Sequence, residues 1–127
     1  MTAKHERPTD APAYGGASAA PPKKVTVPDV VAMKRDGRRI TMMTAYDAAF
    51  ARLVDQAGID VLLVGDSAGM VVLGHPNTVP VTMDDMVRMA AAVSRGASGP
   101  LLVGDMPFGS YQPGPVDALR NAARFLK

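Results

Sequence analysis

No cysteine occurs in these 127 residues, which excludes disulfides, thiolate metal sites and cysteine nucleophiles. Long apolar runs are missing too: none approaches the ~20 residues that a helix needs to span a bilayer. The N-terminus has no apolar signal core and carries Glu6 and Asp10, so no secretory or transit peptide is read there. Neither sign of charge prevails, with 14 basic against 12 acidic residues and a net charge of +2. The densest basic cluster, Lys34, Arg35, Arg38 and Arg39, has few aromatics nearby to stack bases, and reads as a solvated helix end and loop. Neither nucleic acid nor membrane is an expected partner. There is no G-K-[ST] phosphate loop, and no G-x-G-x-x-G follows an apolar strand.

The residues present fit one soluble globular domain, with 47% hydrophobic residues. Residues 1–24, rich in Ala, Pro and Gly, show no apolar periodicity and read as a disordered tail in which His5 and Tyr14 carry no function. The domain is expected over residues 25–127. Thr26 or Val27 before Pro28 suits the first turn of a helix, which Gly37 can end. "RRITMMTA" comes next as a strand, with Ile40, Met42 and Met43 as its apolar residues. Asp47 can cap a helix whose Phe50, Leu53, Val54 and Ala57 fall at i, i+3, i+4, i+7, and Gly58 stops it.

"DVLLVG" is apolar at successive positions, as expected of a parallel strand buried on both faces. After a short turn or helix from Ser67 to Leu73 and a polar loop, Thr82 and Asp85 form a capping-box-like T-x-x-D. The helix they start buries Met86, Val87, Ala90 and Val93 and ends at Gly96. "LLVGD" is a third strand, and Pro115 opens a helix expected still to run at Phe125-Leu126-Lys127. The nine methionines fall mostly on apolar positions and read as core. A helix followed by β-α-β-α-β-α implies a parallel sheet with right-handed crossovers, closed either as a doubly wound sheet or as a (β/α)8 barrel. A barrel typically takes about 250 residues, so this length reads as roughly its first half.

The turn after the second strand carries two signals. Gly65-Asp66-Ser67-Ala68-Gly69 fits G-x-S-x-G, the elbow that presents a nucleophilic serine in many hydrolases. It also sets Asp66 at the carboxyl end of an apolar strand. Leu-Leu-Val-Gly-Asp recurs at 62–66 and 101–105. Each Asp could cap the loop or helix after it, or the two could share one hard divalent cation such as Mg2+, with each preceding glycine leaving room for a ligand. The serine reading explains one copy only, since Met106 comes after the second aspartate. Its histidine partner would have to be His75, eight positions on, and no oxyanion-hole loop precedes the turn. Ser67 therefore reads as a hydrogen-bond donor, and His75 as a loop-packing or capping residue.

The elements T-A-Y-D at 44–47, V-G-D-S at 64–67, T-x-P-V-T-x-D-D-M at 78–86 and D-x-P-F-x-S-Y at 105–111 occur in this order. Together they resemble the ketopantoate hydroxymethyltransferase family, from about Val30 to Lys127. The resemblance implies a (β/α)8 TIM barrel of the phosphoenolpyruvate/pyruvate-like kind, of which this chain would hold three β/α units and a leading helix. It also implies Mg2+, 5,10-methylenetetrahydrofolate as one-carbon donor and 3-methyl-2-oxobutanoate as the α-keto acid that becomes 2-dehydropantoate, in pantothenate and coenzyme A biosynthesis. A cytoplasmic homo-oligomer, commonly a decamer, is implied as well. Carried over residue by residue, Asp66 and Asp105 match the metal-binding aspartates, and Asp66, Ser67 and Asp105 match the contacts to the keto acid. Thr44 and Tyr46, at the rim of the first strand, either line the pocket or serve the structure. The family's Lys-x-Glu segment and its proton-accepting glutamate would lie beyond Lys127. The chain alone is thus expected to hold half a metal site and no general base, as the N-terminal part of an active enzyme or as a non-catalytic remnant.

Overall fold

The computed structural model describes residues 23–127. The tail read over residues 1–24, with His5 and Tyr14, lies outside the described residues except for Lys23 and Lys24. Among these residues five helices and three strands follow one another as α1 (Val27–Arg35), β1 (Met42–Thr44), α2 (Ala48–Gln56), β2 (Val61–Val64), α3 (Ala68–Val71), α4 (Met83–Gly96), β3 (Leu101–Gly104) and α5 (Pro115–Arg124). The strands form one parallel sheet in the order β1-β2-β3. This is the α/β arrangement that the alternation predicts. Among the described residues no helix is long and apolar enough to cross a membrane.

Local capping explains where the helices begin. Thr26, not Val27, caps α1 in a reciprocal box with Asp29, and Thr82 caps α4 in the same way with Asp85. The Asp47 carboxylate accepts from the amides of Ala49 and Phe50, both at 2.8 Å, and starts α2. Gly37 and Gly58 come after α1 and α2 in left-handed conformations, at φ of 71° and 74°. Gly96 behaves differently. It is the last residue of α4, and a Cβ there would stand 2.3 Å from the carbonyl oxygen of Ala48. That glycine permits close approach of α4 to the first turn of α2; it is not a left-handed stop.

The core joins the α2–α4 face to the sheet: Ala45, Ala51, Val54, Leu62, Val64, Val81, Met86, Ala90 and Val93 pack together. Several expectations are corrected by this packing. On α2 the expected Val54 is buried together with Ala51, whereas Phe50 and Leu53 are 43% and 62% exposed and Ala57 is exposed too. β1 pairs over only three residues and is exposed at all of them, Met42 and Met43 included, and Ile40 before it is exposed as well. Only central β2 has the deep burial predicted for both apolar strands, with β3 half-buried. Of the methionines, Met33, Met83 and Met86 are core, but Met42, Met43 and Met70 are exposed. Finally, α5 ends at Arg124. The amides of Phe125 and Leu126 tighten into bonds three residues back, and the Phe125 ring lies against Gly104.

At the amino ends of the strands, Asp60 ties β1 to β2. Its buried carboxylate accepts from the Thr41 amide (3.0 Å), the Thr41 hydroxyl (2.9 Å) and Arg38 (2.7 Å). One member of the basic cluster is therefore a structural partner. The Thr41 amide first, then the Thr41 hydroxyl and Arg38, hold the Asp60 carboxyl below its ordinary value against the opposing effect of burial.

Candidate functional site

The carboxyl ends of β2 and β3 open onto a depression of about 530 Å3 lined by Asp66, Asp105, Met106 and Tyr111. In parallel α/β sheets this is the end where ligands bind. The two aspartates therefore converge from neighbouring strands, although the two copies of Leu-Leu-Val-Gly-Asp are not in register. Leu62 pairs with Leu102 and Val64 with Gly104, so the second copy is offset by one residue. Asp105 still belongs to the sheet, donating its amide to the carbonyl of Val64 at 2.9 Å. Asp66 lies beyond the strand, in the turn closed by the Ala68 amide on the Gly65 carbonyl at 3.1 Å.

The offset explains the glycines. A Cβ on Gly65 would sit 2.9 Å from the Ser67 hydroxyl and 3.4 Å from Oδ2 of Asp105. Gly65 is thus empty so that Ser67 and Asp105 can close over it. A Cβ on Gly104 would meet the Phe125 ring at 3.0 Å. The space left by each glycine is taken by the protein's own side chains, which corrects the expectation that it admits a ligand.

Ser67 is half-buried at the start of α3, and its hydroxyl lies 2.8 Å from the phenol oxygen of Tyr46. Tyr46 comes directly after the fully buried Ala45, whose amide donates to the Leu63 carbonyl at 3.0 Å. Thr44 is exposed on β1. His75 does not serve Ser67. Its amide donates to the Gly69 carbonyl at 2.8 Å, and its ring edge lies 3.6 Å from where a Gly69 Cβ would be. That is the loop-packing role read from the sequence, and it leaves Ser67 with a phenol where a hydrolase needs an imidazole. Nearby, the Asp85 carboxyl is held low chiefly by the Thr82 hydroxyl and then the Thr82 amide.

Two lining residues, Met106 and Tyr111, escaped sequence reasoning. The signal for Tyr111 was the D-x-P-F-x-S-Y element itself. Its loop folds back through the Ser110 hydroxyl donating to the Pro107 carbonyl at 2.6 Å, and through Gly109 at φ 83° with its amide on the Gln112 side chain at 2.8 Å. Among the described residues no group of three or more His, Asp or Glu side chains comes together as a metal site. Two carboxylates remain a fitting donor set for Mg2+, which takes one or two carboxylates and fills its other positions from substrate and water.

Comparison with known proteins identifies the family. The family model described as ketopantoate hydroxymethyltransferase matches residues 24–127. A 3-methyl-2-oxobutanoate hydroxymethyltransferase of Desulfotalea psychrophila is 64% identical over 102 residues, covering 80% of this chain and 37% of the relative. The enzyme of that name from Thermobifida fusca is 57% identical over 119 residues, covering 94% of this chain and 42% of its own length. That from Heliobacterium modesticaldum is 56% identical over 105 residues, or 83% and 38% of the two chains. The chain spans about two fifths of the length of these curated relatives. With a family model that runs through both aspartates and the serine between the strands, the chain belongs to the ketopantoate hydroxymethyltransferase family.

Proposed function

We propose that this chain supplies the keto acid and metal half of a 3-methyl-2-oxobutanoate hydroxymethyltransferase site. The observation that carries the reading is the convergence of Asp66 and Asp105, from adjacent strand ends, on one depression. The names of the relatives support the same reaction. Asp66 and Asp105 would hold Mg2+ through their carboxylate oxygens. When bound, that cation supplies Lewis acidity to the keto oxygen and carboxylate of 3-methyl-2-oxobutanoate. Ser67, beside Asp66, donates a charge-assisted hydrogen bond to the acid. Met106 and Tyr111 wall the depression on the side of β3.

The hydroxymethyl group would come from 5,10-methylenetetrahydrofolate and yield 2-dehydropantoate, a step of pantothenate and coenzyme A synthesis. We assign no general base to this chain: the one glutamate in the sequence is Glu6, far along the chain from the depression's residues. In this reading the three strands are part of a (β/α)8 barrel working in the cytoplasm as a homo-oligomer, commonly a decamer. The experiment is calorimetry of 3-methyl-2-oxobutanoate with and without Mg2+. Asp66→Asn and Asp105→Asn should each weaken Mg2+ and keto acid binding together while leaving the fold intact. Unchanged Mg2+-dependent binding in both variants would refute the assignment.

A further inference from the structure

We infer that Tyr46 is a positioning residue for the α-keto acid, acting through Ser67 rather than on the ligand. The inference rests on the reading above, in which Ser67 contacts the acid. The two hydroxyl oxygens lie 2.8 Å apart, and either can be the donor. A serine hydroxyl has one proton and can accept with its lone pairs. Once that proton points at an anionic carboxylate, the oxygen of Ser67 is free to accept, and the phenol of Tyr46 is the donor in place. The pair then forms a chain from phenol to serine to carboxylate in which each bond polarises the next.

The fold holds Tyr46 on both sides. Before it, Ala45 is fully buried and bonded to Leu63 of β2. After it, Asp47 is fixed by two amides at the start of α2. Gly65 leaves the Ser67 hydroxyl its place, since a Cβ there would stand 2.9 Å from it. With the tyrosine anchored, the phenol holds Ser67 in one rotamer, its hydroxyl beside the Gly65 position that the Asp105 carboxylate also approaches. Ser67 alone would spread over its staggered rotamers.

A double-mutant cycle tests this, using Tyr46→Phe, Ser67→Ala and the pair, with binding of 3-methyl-2-oxobutanoate measured at saturating Mg2+. Tyr46→Phe keeps the ring and should weaken the acid about 3- to 10-fold, the effect of one neutral hydrogen bond. In the Ser67→Ala background the same change should have no effect on binding. Affinity for Mg2+ alone should not move, which separates positioning from a general structural role. Equal losses from Tyr46→Phe in both backgrounds, or no loss in either, would overturn the inference while leaving the Ser67 contact standing. Unchanged binding in Ser67→Ala, or no binding by the unsubstituted protein, would overturn the reading of the site and this inference with it.

Discussion

Replacing Gly65 by alanine separates the cost of packing from the cost of binding at the strand ends. Gly65 is buried, and it is not among the glycines with positive φ, so alanine can adopt its backbone conformation without strain. The added methyl would stand 2.9 Å from the Ser67 hydroxyl and 3.4 Å from Oδ2 of Asp105. The first is too close, yet the clashing atom ends a rotatable side chain. Ser67 should therefore swing away at a stability cost of about 1 kcal/mol or less. In swinging it leaves Tyr46 and abandons the charge-assisted bond assigned to the keto acid, which is worth about 1.5–3 kcal/mol, or roughly 10- to 150-fold in affinity. Calorimetry with 3-methyl-2-oxobutanoate and Mg2+, run beside urea unfolding, reads the two costs separately. Unchanged affinity with a normal unfolding midpoint would refute the geometry. A large loss of stability with no added loss in binding would place the methyl's cost in the core.

Gly96→Ala should do the reverse. Alanine is the better helix former by about 1 kcal/mol, but its Cβ would press on the Ala48 backbone at 2.3 Å, so a net destabilisation of about 1–3 kcal/mol is expected; an unfolding midpoint that rises would show that α2 and α4 separate freely. Asp60→Ala should cost about 1.5–3 kcal/mol by removing the charged partner of Thr41 and Arg38. The folded pKa of Asp60 is lowered from 3.8, so its contribution is complete above that ordinary value and is lost as pH falls through the lower folded value. The gap between wild type and Asp60→Ala should therefore narrow in acid, and a gap independent of pH would contradict the linkage.

How much of this was legible in sequence depends on how local each feature is. Asp47 and the Thr82–Asp85 pair act within three residues of themselves, so their residue types were sufficient, whereas the start of α1 was left open between Thr26 and Val27 until the box with Asp29 decided it. The two aspartates were legible because a glycine-aspartate pair ended two apolar runs. The buried face of α2 was legible only in part: Val54 of its stripe is buried, but Phe50, Leu53 and Ala57 are exposed and the buried Ala51 lay outside it. The bond between Tyr46 and Ser67 joins residues 21 apart, and only the pairing of β1 with β2 brings them together. The purposes of Gly65, Gly96 and Gly104 depend on atoms of other elements, which no local pattern records.

The one-residue offset between the two pentapeptides means that repetition along the chain is not symmetry in space. Two identical strings present their aspartates on arms of unequal reach: Asp105 is anchored in the ladder by its amide, and Asp66 is carried past it on a turn. An engineer who aligned the copies by sequence and inserted a residue before Leu101 would restore the match between them while turning every β3 side chain to the opposite face of the sheet. The carboxylate of Asp105 would then leave the depression, and the Phe125 ring would lose the flat seat at Gly104. A transplant of this site into another parallel sheet must copy the stagger along with the residues.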